Sequence, residues 1–164
     1  MSRNMARKLT HIDAAGRVRM VDVSAKPVTT REAVARGRVF MHRDTLALIQ
    51  RGRAPKGNVF ATAHLAGVMA AKRTSEIIPL AHSIPVESIE VAFSLDGETS
   101  SVGIEARVRT RARTGVEMEA LTAATVAALT LYDMLKAVDR GMVMGEFALW
   151  EKRGGRSGVY RRRA

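Results

Sequence analysis

Along this chain the residue periodicity changes in the order strand, helix, strand, strand, helix, strand. That order predicts an α+β domain, a ferredoxin-like antiparallel sheet with helices packed on one face. Two stretches carry the expectation. Residues 88–95 and 102–108 alternate apolar and polar side chains on either side of Asp96-Gly97, the pattern of a half-buried hairpin. Residues 114–141 carry helix-end signals at both ends and no ionisable residue from Ala120 to Leu131, so this helix is expected to be buried on most of its surface. A length of 164 residues, 46% of them hydrophobic, suits one domain with a real core. Aromatic residues make up only 4%, so Ala, Val, Leu, Ile and Met must fill that core.

The elements follow in order. Residues 1–18 read as a flexible basic lead, with His11 and Asp13 in a surface turn. Met20, Val21 and Val23 suggest a loop or short extended piece that Lys26-Pro27 breaks. Arg31 to Met41 reads as a strand. Asp44 is placed to cap a short helix, Thr45 to Arg51. The basic loop 52–57 follows and lacks the Gly-x4-Gly-Lys-Ser/Thr of a phosphate-binding loop. Asn58 is placed to cap a helix from Val59 to Thr74. There Ala63, Gly67 and Ala71, and beside them Thr62, Ala66 and Ala70, recur every four residues, a face that admits another backbone closely. His64 within it reads as structural. Pro79 and Pro85 exclude regular helix or central strand from 76–85, leaving an apolar loop with His82 at its centre. His82 is read either as hydrogen-bonded for structure or as an acid–base group.

After the hairpin strands, Arg107, Arg109, Arg111 and Arg113 fall on one strand face, roughly 6.6 Å apart. They form a solvated sheet face or an anion-binding comb. Thr114 and Glu117 fit a capping box for the long helix, and Arg140-Gly141 suits its C-terminus. Met142 to Lys152 gives a last strand, and residues 154–164 a flexible Gly/Arg-rich tail. Residues 19–153 then form a single domain without internal repeat.

The formal net charge of +11 points to a polyanionic partner: nucleic acid, a nucleotide triphosphate, or only a soluble surface. The absence of cysteine rules out disulfides, thiolate metal sites and a catalytic thiol, and fits a cytoplasmic protein. The basic N-terminus has no apolar core of a secretory signal, and no apolar run approaches the ~20 residues of a membrane span.

Several runs together resemble the molybdenum cofactor biosynthesis protein C (MoaC) family. They are Lys56-Gly57-Asn58-Val59-Phe60-Ala61-Thr62-Ala63, Ala70-Ala71-Lys72-Arg73-Thr74, Ile78-Pro79-Leu80-Ala81-His82, Thr114-Gly115-Val116-Glu117-Met118-Glu119-Ala120-Leu121-Thr122-Ala123 and Tyr132-Asp133-Met134-Leu135-Lys136-Ala137-Val138-Asp139. Leu9-Thr10-His11-Ile12-Asp13 and the late Gly-Gly-Arg-Ser-Gly join them, so the resemblance spans about residues 9–160. It implies a lyase-type cyclic pyranopterin monophosphate synthase. Such an enzyme turns 3′,8-cyclo-7,8-dihydro-GTP into cyclic pyranopterin monophosphate and releases pyrophosphate. It further implies a ferredoxin-like subunit in a hexamer, a trimer of dimers, with sites at subunit interfaces. No cofactor and no protein metal site are implied; Mg²⁺ would come only with the substrate triphosphate. Carried over by motif, the catalytic positions are Lys56, His82, Glu117, Glu119, Asp133 and Lys136. Substrate contacts are expected at Leu80, Ala81, His82, Met118 and Glu119, with Arg31, Lys72 and Arg73 beside them. The chain departs from the family pattern at Ala81 and Ser83, where Cys-His-Pro is usual, at Asn58, and at Leu135 in place of Cys.

The residue types suit this chemistry. Lysine offers charge against phosphates and, where its pKa is lowered, an acid. Lys56 precedes a helix N-terminus that favours anions. Asp133 and Lys136, spaced i, i+3, share a helix face, as a salt bridge or an acid–base pair. Glu117 has a competing role in the capping box. Glu119 and Asp133 are separated by about 21 Å along the helix, which favours sites completed by a neighbouring subunit, or different ends of the helix serving different sites. Two other readings stand beside the enzyme. A small basic nucleic-acid-binding module has support from the charge and the arginines, but few aromatic stacking platforms. A silent assembly protein would leave the lysines and His82 idle.

Overall fold

The computed structural model describes residues 15–163, so the Leu9–Asp13 run and most of the expected lead lie outside the described residues. Five strands and four helices follow in order: β1 (Thr29–Phe40), α1 (Arg43–Gln50), α2 (Val59–Lys72), α3 (Thr74–Ile77), β2 (Ser88–Asp96), β3 (Ser101–Ala112), α4 (Glu117–Leu135), β4 (Val143–Arg153) and β5 (Tyr160–Arg161). The sheet is antiparallel in the order β2-β3-β1-β4-β5. Its first four strands have the ferredoxin-like arrangement expected, with α2 and α4 on one face.

The layers follow from the periodicities. On β1, Ala33, Ala35 and Val39 point into the core. Val102, Ile104, Ala106 and Val108 do the same on β3. The helical side of the core comes from the alanine-rich face of α4, with Ala120, Ala123, Ala124, Ala127, Ala128 and Leu131 fully buried. Small side chains let the elements approach. A Cβ on Gly67 of α2 would lie 3.0 Å from the Ala123 carbonyl oxygen on α4 and 3.1 Å from Val91 Cγ2 on β2. The four-residue spacing of Ala63, Gly67 and Ala71 is therefore the crossing point of the two long helices.

Three element ends differ from expectation. The Thr114–Glu117 capping box does not form: α4 has Val116 at its N-cap and no side-chain cap. The Glu117 carboxylate instead folds back over Gly115, into space that a side chain there would fill. At the other end α4 stops at Leu135, whose carbonyl accepts the N–H groups of Val138 and Asp139, and Gly141 needs no left-handed backbone. Asp44 does not cap α1, which starts at Arg43 without a cap from its own segment. A fourth difference lies in α2, expected to reach Thr74: it stops at Lys72, and α3 carries helix to Ile77, two residues into the 76–85 stretch expected to hold none, because Pro79 bars helix only from the residues next to it. A fifth lies in the expected tail, where Tyr160 and Arg161 pair with Lys152 and Glu151 as a short fifth strand on the β4 edge. By contrast, Asn58 Oδ1 accepts the Ala61 N–H at 3.0 Å and caps α2 as expected.

The uncovered sheet face decides between the two readings of the arginines. Arg107 pairs with Glu32 at 3.0 Å and Glu105 at 3.3 Å. Glu105 also meets Arg36, its partner across the β1–β3 register, at 2.7 Å. Arg38 joins Asp96 at 2.7 Å. Arg113 donates to the Lys26 carbonyl, and Arg109 and Arg111 stand exposed. Of the four arginines of the expected comb, Arg107 is thus ion-paired and Arg113 tied to a carbonyl, while Arg109 and Arg111 belong to a solvated stretch of the face. Helix α4, at 19 residues, is long and apolar enough to cross a membrane by length and composition, which the raw sequence pattern did not anticipate. Its packing against the sheet and α2 makes it the core helix of the domain.

Candidate active site

The expected site residues gather at the two ends of α4. At the C-terminal end the basic loop and the helix meet. Lys56 Nζ donates to Asp133 Oδ2 at 2.9 Å and to the Asp133 main-chain oxygen at 2.8 Å. Lys136 Nζ reaches Asp133 Oδ1 at 2.8 Å. One carboxylate thus stands between two ammonium groups, all three side chains about half exposed. The local structure accounts for this. Carbonyls in the last turn of a helix lack intrahelical partners, and Lys56 satisfies that of Asp133 while Lys136 N–H takes that of Tyr132 at 2.8 Å. An acidic residue near the negative end of a helix is unfavourable alone; the two lysines offset it.

Hydrogen bonds from Lys136 and then Lys56 hold the Asp133 carboxyl down to about 2. Reciprocally, Asp133 raises the pKa of Lys136. Lys136 is therefore held as a cation, and Lys56 on the same carboxylate adds a second basic group, an arrangement suited to grip an anion. The lowered pKa of a lysine acid is not what Lys136 shows here, because Asp133 is its neighbour.

At the N-terminal end of α4 the elements bring Glu117, Glu119 and His82 together. Glu119 is buried, 4% exposed. Burial raises its pKa; a hydrogen bond from its own backbone and the nearby His82 oppose this, while Glu117 adds to it. The proline-flanked loop presents His82, whose Nε2–H donates to the Val21 carbonyl at 2.7 Å. A carbonyl only accepts, so the bond fixes the proton on Nε2 and leaves Nδ1 as the second ring nitrogen. Ser83 does not restrict the backbone as proline would, yet the loop is anchored beyond it. Thr110 Oγ donates to the Pro85 carbonyl, and Glu87 N–H to that of Arg109 at 3.0 Å.

The remaining positions divide. Leu80 and Ala81 are half-buried in the His82 loop, and Met118 stands exposed beside Glu119. Arg31 is fixed, its Nε on the Ala112 carbonyl at 3.1 Å and its Nη2 on that of Arg113 at 3.0 Å. Lys72 and Arg73 are exposed at the end of α2. His64 Nδ1–H donates to the Val91 carbonyl at 3.0 Å, the structural role expected of it. Among the described residues no group of three or more His, Cys, Asp or Glu side chains is placed to hold a metal ion. A cleft of about 820 Å³ lies on the open sheet face among Arg36, Arg38, Glu105, Glu146 and Trp150, and contains none of the expected site residues.

Fold and clusters together describe a class: a small α+β subunit whose long core helix carries a lysine–carboxylate group at one end and a buried acid beside a histidine at the other. The chain belongs to the MoaC family, which matches residues 20–155. It is similar to the cyclic pyranopterin monophosphate synthase of Thermomicrobium roseum, 59% identical over 94% of this chain and 93% of the relative. The protein of that name from Pelotomaculum thermopropionicum is also 59% identical, over 94% and 91%. That from Heliobacterium modesticaldum is 58% identical over 93% and 96%.

Proposed function

We propose that this chain is a cyclic pyranopterin monophosphate synthase, a lyase-type enzyme of molybdenum cofactor biosynthesis that converts 3′,8-cyclo-7,8-dihydro-GTP into cyclic pyranopterin monophosphate and pyrophosphate. The observation that carries this is identity of 58–59%, over nine-tenths of both chains, to relatives that bear that name. The reaction rearranges rings by proton transfer and displaces pyrophosphate at the α-phosphorus. Lys136, kept a cation by Asp133, and Lys56 hold the triphosphate; Asp133 stores them in position until it arrives. Glu119, whose carboxyl keeps its proton to a higher pH than usual, and His82 are the groups that move protons, with Glu117 beside them. Leu80, Ala81, Met118, Arg31, Lys72 and Arg73 contact substrate. No redox cofactor takes part, and Mg²⁺ enters only with the triphosphate.

The assembly we propose is a homo-oligomer, a trimer of dimers, in the cytoplasm. Two observations support it. Glu119 and Asp133 lie in one continuous helix, Glu117–Leu135, and so stand about 21 Å apart along its axis, too far for one small substrate. Between its charged ends, the helical layer also exposes apolar or neutral side chains: Leu65 and Met69 on α2, Met118, Thr125 and Leu129 on α4. The nucleic-acid module is the weaker reading, since Arg36, Arg38 and Arg107 are already paired within the sheet. The test is incubation of the purified protein with the tricyclic nucleotide and, separately, with GTP. Pyrophosphate is expected from the first alone. Unchanged tricyclic nucleotide beside a working control enzyme rejects the reading.

A further inference from the structure

Asp139 is the only buried carboxylate among the described residues other than Glu119, and it takes no part in the clusters above. Its position is unusual. It lies in the turn after α4, three residues past Lys136, yet its side chain enters the start of α1. Oδ2 accepts the His42 N–H at 2.9 Å and the Thr45 hydroxyl at 3.0 Å. Oδ1 accepts the Gly141 N–H at 3.0 Å. Burial pushes its pKa up, and the three hydrogen bonds from His42, Thr45 and Gly141 outweigh this and leave it lowered. It is thus an ionised, fully hydrogen-bonded buried group, a strong and specific link.

The two segments it joins are those that carry the lysines. Helix α1 runs from Arg43 to Gln50 into the Lys56 loop, whose course is set by bonds back to α1: Arg51 N–H to Ala47, Gly52 N–H to Ile49 and Arg53 N–H to Leu48. The turn after α4 carries Lys136 and is held by Asp139 N–H on the Leu135 carbonyl at 3.1 Å and Tyr132 Oη on that of Arg140 at 3.3 Å. Lys56 and Lys136 themselves meet only through Asp133, at the surface. We infer that Asp139 is a positioning residue, which sets the spacing of Lys56 and Lys136 by fixing the turn after α4 to the helix that leads into the Lys56 loop. The inference rests on the proposed function for its catalytic consequence; the juxtaposition itself does not.

Two variants test it. Asp139→Asn keeps the shape but has one acceptor oxygen, so an amide N–H must face either Gly141 or the His42–Thr45 pair. Thr45→Val removes a single hydroxyl and guards against simple misfolding, and Thr45→Ser restores it. The substrate-independent readout is the acylation rate of individual lysines by an amine-reactive ester, followed by mass spectrometry. Loosened pairing with Asp133 frees the amines, so Lys56 and Lys136 should label faster in Asp139→Asn and Thr45→Val, with Lys72 unchanged as internal reference. With the tricyclic nucleotide, kcat should fall roughly tenfold to a hundredfold, the scale of a misplacement of about 1 Å made at a distance. Thr45→Ser should return both readouts to wild type. A role in stability alone lowers the melting temperature but leaves kcat per folded site and lysine labelling unmoved well below it, and that result overturns the inference. If wild type proves inactive on the nucleotide, the proposed function fails and labelling alone decides: faster labelling upholds the positioning role, unchanged labelling rejects it.

Discussion

A carboxylate between two lysines and a carboxyl buried beside a histidine respond differently to mutation and to pH. Lys56→Ala and Lys136→Ala each remove a half-exposed side chain. Stability should change by less than about 0.5 kcal/mol. Turnover should nearly vanish, by at least the ~10²-fold that a misplacement of about 1 Å costs. Thermal melts beside a pyrophosphate assay separate the two, and near-wild-type rates in both variants reject the assignment. Glu119 makes the pH prediction. Its folded pKa is raised above the ordinary 4.5, so its contribution to stability is fully present below that value and is lost as pH rises through the folded pKa. Glu119→Gln cannot ionise and lacks this loss. Urea denaturation should therefore show the variant gaining on wild type between pH 4 and pH 8; a constant gap would show that Glu119 is not buried as described. These residues were legible in the sequence as types at the ends of an uncharged helix, and their motifs placed them. What could not be read was who meets whom. Lys56 and Asp133 are 77 positions apart, and only the fold makes them neighbours. Asp139 stood in the sequence only as the last residue of the Tyr132–Asp139 run, because burial of a turn residue leaves no periodic mark.

At the scale of elements, type and order were readable and ends were not. Alternation gave β2 almost to the residue and the first two thirds of β3, since an antiparallel sheet with one wet face imposes period two. Helix ends depended on side chains from elsewhere: Asp139 serves the start of α1 in place of Asp44, and Glu117 turns to Gly115 instead of completing a box. Where capping is local, as at Asn58, the reading held. Asn58→Asp should leave stability nearly unchanged, while Asn58→Ala should cost about 1 kcal/mol, measurable by urea denaturation. The crossing of α2 and α4 is less forgiving. Gly67→Val puts carbons against a main-chain oxygen and Val91, so overpacking of about 1–3 kcal/mol or more should outweigh any gain in helix propensity. A stability equal to wild type would mean that the helices do not cross at Gly67.

For the whole molecule, the test of assembly is a mixture. Light scattering at micromolar concentration should report an oligomer rather than a monomer. Subunits carrying Lys56→Ala, co-refolded with subunits carrying Glu119→Gln, should regain part of the activity both lack, since some sites then inherit two intact halves. A stable monomer would refute the assembly. Dead mixtures from a true oligomer would keep the catalysis and exclude the shared site.

The short strand β5 and the bond from His64 share a consequence. An exposed sheet edge is a template on which chains stack without end. Here β4 is covered at one end by Tyr160–Arg161, and Glu146, with its φ of 58°, breaks the regular course of the rest. The opposite edge, β2, has its Val91 carbonyl taken by His64 from the helix above. With part of each rim taken up in this way, open-ended stacking through the sheet edges is disfavoured, which is compatible with the closed assembly proposed above. His64→Ala, which frees one carbonyl on that rim, should raise turbidity and thioflavin binding on prolonged warming before it alters turnover.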